Sequence, residues 1–348
     1  MNEDTLYMQR CLDLAMLGAG SVSPNPLVGA VIVSNGNVIG EGYHPGFGQP
    51  HAEVLAVEQA IRSGQESHLK GATLYVNLEP CAHQGKTPPC TDLIIRHGFT
   101  RVVIGCGDPN ALVNGSGIRK LDEAGIATES CLQAESRFLN RRFFAWHTLG
   151  RPYVLLKFAQ SSNGFMSAAS ATERKISNEL SDVWVHKWRS EEDAILIGTR
   201  TAESDNPHLT VRHWQGKNPL RVIIDRRLRL SPELNIFDRS TPTLIFNEVK
   251  NSMSDDLQFE KMDFGNSLPA EVLSRLYERN VLSVMLEGGP HLLGQFISAG
   301  LWDEARIITS EKIITGGIRS PEISGNVRNR LTLRDDTITW IYNREMPW

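Results

Sequence analysis

The chain has 348 residues, more than one ordinary domain, and its 41% hydrophobic content, 22% charged content and 17 scattered prolines describe a folded globular protein rather than a disordered or collagenous one. A formal net charge of -4 argues against general affinity for nucleic acid or an anionic membrane. No apolar run reaches transmembrane length, the acidic start "MNEDTLYMQR" lacks the basic and apolar regions of a secretory signal, and five cysteines, all before residue 132, are an odd set for a disulfide framework; the expected compartment is the cytoplasm.

In chain order, Met8, Cys11, Leu12, Ala15 and Met16 recur at helical spacing behind Asp4 or Thr5 as cap. "VGAVIV" and "VIGEGY", joined through Ser34-Asn35-Gly36-Asn37, predict a β-hairpin. A helix from about His51 ("HAEVLAVEQAI"), a strand ("ATLYVNL"), a helix beginning at Cys90 ("CTDLIIRHG"), and strands "RVVIGC" and "IATESC" around a helix at Ile118 to Ala124 complete the first 147 residues. Such alternation predicts a mixed, mostly parallel sheet with helices on both faces. Gly150 and Pro152 interrupt regular structure, and a second α/β domain, 151–348, is expected beyond them. Its strand candidates are "YVLLKF", "DAILIG", "LRVIID", "TLIF", "VLSVMLE" and "EARIIT", with helices near 178–189, 268–280 and 290–300.

The first domain holds a constellation with definite chemistry. A catalytic zinc takes three protein ligands, thiolate or imidazole among them, and leaves a fourth position for water. His51, Cys81 and Cys90 supply that set, and Glu53, two residues from His51, is placed to relay protons without ligating. Zinc nucleobase deaminases carry H-x-E followed by P-C-x-x-C; here the second half is P-C-x8-C, with the same ligand types and six more residues between them. Cys11, Cys106 and Cys131 read as small core residues.

Together with these motifs, "SPNPLVGAVIV", "GYHPGFGQPHAEV", "GATLYVNLEPCAHQGKTPPCTDLII" and "VVIGCGDPN" resemble the deaminase half of the bifunctional RibD-type riboflavin-biosynthesis family over almost the whole first domain, residues 1–147. The resemblance implies a cytidine-deaminase-like, three-layer α/β/α domain that removes an amino group from a phosphorylated diamino-ribosylaminopyrimidinone. It further implies that Asn25 and His44 contact the pyrimidine or its ribose phosphate and that Lys86 contacts the phosphate. Asp108-Pro109-Asn110-Ala111 stands where the family has Asp-Pro-Asn-Pro.

The second domain lacks a G-x-G-x-x-G after its first strand, which excludes an ordinary Rossmann site, but "MLEGGPHLLGQF" sets Gly288 and Gly289 before a helix start, where free amides suit a phosphate. "RPYVLLKFAQSSNG", "AILIGTRTAESDNPHLTVR" and "MLEGGPHLLGQFISAGLWDE" resemble the reductase half of the same family, from about Arg151 to Thr309. That resemblance implies a dihydrofolate-reductase-like α/β fold using NADPH, which reduces a ribosyl group to ribityl. Carried over, Ala159, Thr201, Asp205, Gly289, Pro290, His291, Leu292, Leu293, Gly294 and Gln295 hold the cofactor. Arg189, Leu209, Arg212 and Glu287 hold the substrate, and Lys157 stands near the reacting sugar. The family also implies a homo-oligomer.

Two stretches depart from the pattern. Ser161-Ser162-Asn163-Gly164 replaces S-L-D-G, and Glu173-Arg174-Lys175-Ile176-Ser177 replaces S-x-W-I-[ST], whose tryptophan and serine touch cofactor and substrate. They keep open a second domain that binds nucleotide or dimerises without reducing. A cytidine or tRNA-adenosine deaminase fused to another reductase is the other alternative, disfavoured by the long C-x8-C loop and the acidic charge.

Overall fold

The computed structural model describes residues 2–83, 88–110, 113–168, 175–265 and 267–344. They divide into two compact units between Leu149 and Gly150.

The first unit runs α1 (Glu3–Met16), β1 (Gly29–Ser34), β2 (Asn37–Tyr43), α2 (Ala52–Arg62), β3 (Thr73–Leu78), α3 (Cys90–His97), β4 (Arg101–Cys106), α4 (Ser116–Glu123), β5 (Ala127–Ser130), α5 (Gln133–Leu139) and α6 (Arg141–Leu149). Asn2, not Asp4 or Thr5, caps α1. The Asp4 carboxylate is engaged elsewhere, accepting from Arg101 at 2.8 and 2.9 Å and from the Tyr75 hydroxyl at 2.7 Å. In the β1–β2 turn Asn35 and Gly36 have φ of 50° and 75°, the left-handed pair that matches strand twist in a tight hairpin.

The sheet order is β2-β1-β3-β4-β5. It is less parallel than expected, because β1 is antiparallel to both neighbours and only β3, β4 and β5 run together. The physical reason is the crossover: α2 carries the chain over β1, so that β3 lies parallel to β2 with β1 between them. Side chains of β1 alternate between two cores. Ala30 and Ile32 pack with Ala56, Val57 and Ala60 of α2, whereas Val31 and Val33 pack with Met8, Cys11 and Leu14 of α1. A Cβ on Gly29 would lie 2.1 Å from the Cys11 carbonyl, so close packing of α1 requires glycine there. The short helices α5 and α6 escape a periodicity reading, α5 being only seven residues long behind a left-handed Leu132.

The second unit comprises β6 (Tyr153–Ser161), β7 (Phe165–Ala168), α7 (Glu179–Glu191), β8 (Ala194–Gly198), α8 (Thr199–Asp205), β9 (Leu220–Ile224), β10 (Thr243–Asn247), β11 (Leu257–Lys261), α9 (Leu268–Glu278), β12 (Ser283–Leu286), α10 (Pro290–Ser298), β13 (Glu304–Ser310), β14 (Gly317–Arg319), β15 (Asn326–Leu333) and β16 (Asp336–Tyr342). Nine strands form one sheet in the order β11-β10-β9-β8-β12-β6-β13-β16-β15, parallel from β11 to β13 and antiparallel across the last two pairings. Leu292, Leu293 and Phe296 of α10 and Val272 and Leu276 of α9 cover one face; Val185 and Trp188 of α7 and Ala202 of α8 cover the other. The strands not anticipated are β7, β11 and β14 to β16. β15 is a mostly exposed edge whose polar and basic residues carry little hydrophobic signal. Among the described residues no helix is long and apolar enough to cross a membrane, and all five cysteines are free thiols.

A buried clamp fixes the segment before β1. Asn77, fully buried in β3, accepts from the Gly29 amide at 2.7 Å and donates to the Leu27 carbonyl at 2.9 Å; Asn140 accepts from the Leu27 amide at 2.8 Å. Replacing Asn77 by Ala strands the Gly29 N–H in the core, at a cost of about 1–3 kcal/mol. The expected result is a lower urea midpoint for unfolding of the first unit, with that of the second unit unmoved.

Candidate active sites

Three chain ends deliver the first site. His51 caps α2, Cys90 opens α3, and Cys81 follows β3 through Glu79 and Pro80. Their ligand atoms all lie within 4.8 Å of one another, with His51 Nδ1 at 3.3 Å from Cys90 Sγ and 3.7 Å from Cys81 Sγ. Hydrogen bonding from Cys90, then from His51 and the Cys90 amide, holds the Cys81 thiol down at about 4. The Cys81 thiolate and burial push Cys90 up, and Cys81 raises His51 to about 9. Two sulfurs and one imidazole nitrogen converging with thiolate character fit a tetrahedral zinc with one position left open. Glu53, 4% exposed in the first turn of α2, stands outside the ligand set, and burial pushes its carboxyl up.

Beside this centre Asn25 Nδ2 lies 3.0 Å from His44 Nε2, and His44 Nδ1 lies 2.9 Å from the Pro50 carbonyl. Nδ1 therefore carries the proton and Nε2 accepts, a neutral tautomer consistent with burial lowering the His44 pKa. The His44 and His51 rings meet edge to face at 5.8 Å. Lys86 lies outside the described residues.

Glu79 was not singled out in the sequence. Buried at 4% exposure, its carboxylate accepts from the amides of Gly115 and Gly117 at 3.0 and 2.9 Å, and from those of Asp108 and Ile118 at 3.3 Å each. It ties the start of α4 to the strand end that carries Cys81. The signal available was an acid directly after an apolar strand, where an ion must find several donors.

The second site lines a cavity of about 840 Å³ along the C-terminal ends of β6, β12, β8 and β9, where open parallel sheets place their ligands. The cavity brings together Lys157, Ala159, Thr201, Asp205, Glu287, Gly289, Pro290, His291, Leu292 and Gln295. Its length over four strands and the Gly289-Pro290 start of α10 fit a dinucleotide. The Thr201 hydroxyl accepts from the Gly289 amide at 3.0 Å, which couples α8 to that turn. Leu293 is instead fully buried in the core, and neither it nor Gly294 lines this cavity.

Arg189 meets Glu287 through two hydrogen bonds of 2.7 and 2.9 Å, and Lys157 Nζ is 3.5 Å from the same carboxylate. Burial opposes the charge of Glu287, but Arg189 and then Lys157 outweigh it and hold the carboxyl down at about 2. The guanidinium fork of Arg189 grips Glu287 and also donates to the Thr210 carbonyl at 3.2 Å, whereas Arg212 is exposed and donates to the Thr210 hydroxyl at 3.0 Å; neither arginine lines the cavity. Leu209 is buried in the core with φ 55° and does not line the cavity. Of the departures, Asn163 bonds Ser161 and the Ile314 backbone, and Lys175 lines the cavity while paired with Asp182. Glu173 lies outside the described residues.

Residues 1–106 match the family described as cytidine and deoxycytidylate deaminase zinc-binding region, and residues 152–344 match the RibD C-terminal domain. The chain is 39% identical over 341 residues to the riboflavin biosynthesis protein RibD of Aquifex aeolicus, covering 94% of each. To the protein of that name from Escherichia coli K12 it is 34% identical over 336 residues, covering 91% of this chain and 90% of the relative. Among solved structures it resembles the diaminohydroxyphosphoribosylaminopyrimidine deaminase/5-amino-6-(5-phosphoribosylamino)uracil reductase of Thermotoga maritima, with a TM-score of 0.90 at 36% identity over 98% of this chain and 99% of that one. It also resembles Acinetobacter baumannii RibD, with a TM-score of 0.87 at 31% identity over 98% of each.

A carboxyl whose pKa falls on folding stabilises the protein above its unfolded value, here about 4.5, and loses that contribution as pH drops through about 2. The gap in urea midpoint between the wild-type chain and Glu287→Gln should be widest near pH 7 and close progressively below about pH 4.5.

Proposed function

Because the chain belongs to the RibD family of riboflavin-biosynthesis proteins, whose chemistry is a deamination followed by a reduction, we propose a division of labour between its two groups of residues. The chain is a bifunctional zinc deaminase and NADPH-dependent reductase acting on phosphorylated ribosylaminopyrimidines. A match to the RibD C-terminal domain over residues 152–344 argues against fusion to an unrelated reductase and against a second unit that only binds.

In the proposed deaminase, residues 1–147, His51, Cys81 and Cys90 hold zinc. When bound, the ion acidifies a water and so makes a nucleophile available near neutral pH. Glu53 would hold the proton given up by the nucleophile and pass it to the ring nitrogen next to the amino-bearing carbon. A second proton, from the hydroxyl formed on that carbon, would pass through Glu53 to the amino group, which leaves as ammonia, so that oxygen replaces nitrogen without any redox change. Its raised pKa makes Glu53 the stronger base for the first step. Asn25 and the neutral His44 orient the substrate, and Lys86 takes its phosphate. The observation that carries this reading is the convergence of three ligand atoms within 4.8 Å beside a buried carboxylate.

In the proposed reductase, residues 151–348, NADPH supplies a hydride. Ala159, Thr201, Asp205 and, from the turn and first turns of α10, Gly289, Pro290, His291, Leu292 and Gln295 hold it, with the buried Leu293 anchoring that helix in the core. Reduction of the anomeric carbon opens its bond to the ring oxygen, and the Lys157 ammonium would give that oxygen the proton that makes it a hydroxyl. Glu287 keeps Lys157 and Arg189 in place, and Arg212 takes the substrate phosphate. We place this activity in a cytoplasmic homo-oligomer, the arrangement implied by the family; light scattering that returns a monomer would refute the assembly.

Glu53→Gln should keep one zinc per chain by elemental analysis while ammonia release falls about 10²–10⁴-fold. NADPH oxidation with the deaminated nucleotide should continue in that variant and stop in Lys157→Met, which should still release ammonia. Ammonia release that survives loss of Glu53 would refute the deaminase assignment.

A further inference from the structure

Two arginines in the second cavity have no task in the reaction described above. Arg200 follows β8 in the first turn of α8, and Arg229 lies in the loop after β9; both line the cavity, and among the described residues neither has a hydrogen-bond or ion-pair partner. Their neighbour Arg226 is occupied, pairing with Glu248 at 2.8 Å and lying over the Phe264 ring. The lining carries five lysines and arginines against two carboxylates, Asp205 and Glu287, in a chain whose net charge is -4. Positive charge is therefore concentrated here against the overall balance.

Position along the sheet assigns the charge a purpose. The strands bordering the cavity lie in the order β6, β12, β8, β9. Lys157 and Ala159, on β6, mark the reacting end; the Gly289-Pro290 helix start after β12 lies next; the free arginines follow β8 and β9. At ~4.8 Å per strand, the β9 end is about 14 Å from the β6 end. A dinucleotide laid along this edge with its nicotinamide at Lys157 crosses the α10 start with its pyrophosphate. Its adenosine ribose then reaches the arginines. The group at that ribose that distinguishes NADPH from NADH is a dianionic monophosphate, and a guanidinium binds one through paired, charge-assisted hydrogen bonds.

We infer that Arg200 and Arg229 bind the 2′-phosphate of NADPH and make the reductase select NADPH over NADH. The inference rests on the NADPH reading of this cavity. It is tested by binding, with nucleotide fluorescence for NADPH and NADH and calorimetry for adenosine 2′,5′-bisphosphate and AMP. Arg200→Ala and Arg229→Ala should each weaken NADPH and the bisphosphate about tenfold, leaving NADH, AMP and ammonia release unchanged. A double variant that still prefers NADPH, or that loses NADPH and NADH equally, overturns the inference and leaves the cofactor assignment standing. If the arginines served the substrate's phosphate, the double variant would lose the deaminated nucleotide and keep its preference for NADPH, which also overturns it. A wild-type chain that binds neither dinucleotide overturns the cofactor assignment itself.

Discussion

A carboxylate removed from water must be neutralised or surrounded by donors, because its desolvation otherwise exceeds what folding can supply. Three such groups organise this protein. Glu79 is met by four backbone amides and ties the start of α4 to the strand end that leads to Cys81. Glu287 is met by a guanidinium and an ammonium and fixes the floor of the reductase cavity. Glu53, by contrast, is buried beside His51 and Cys90, and burial outweighs them and pushes its carboxyl up. For two of these acids the partners offset the cost of burial, while for the third burial prevails.

The same contrast explains how each site stays rigid while offering an open position. At the first site, His51 and Cys90 sit where helices begin, and Cys81 sits three residues beyond the end of β3, so the cluster is placed by the ends of regular elements. The Asn77 and Asn140 clamp holds the segment that leads from Asn25 into β1 by direct backbone hydrogen bonds. At the second site, ligand-facing groups come from the ends of four adjacent parallel strands, whose spacing sets the interval between them. A long ligand is accommodated by the sheet's own repeat.

Much of this was legible in the amino-acid order. Period-two and helical patterns located the strands and helices of the first unit as far as β5, because each buries one regular face. The patterns missed α5, α6, α8, β7, β11 and β14 to β16, most of them short or only partly buried. Parallel content was overestimated because alternation of helix and strand reports a crossover but not the strand that it passes over. Chemistry-bearing residues were legible when their spacing is tied to a metal, as with His51, Glu53, Cys81 and Cys90. Glu79 and Asn77 were not, because their partners are backbone amides, which every sequence contains.

What the amino-acid order determined by itself is therefore the inventory: two α/β units, a His-Cys-Cys set of metal-binding type with an acid two residues from the histidine, and a glycine turn before a helix. Local periodicity and ligand type are written residue by residue, so they survive without coordinates. Tertiary structure alone decided which ions pair. It closed Arg189 onto Glu287, left Arg212 exposed, and brought Arg200 and Arg229 to the same cavity as Lys157. A charge's role depends on what lies within a few ångströms and on how much water remains, and those quantities exist only once the chain has folded.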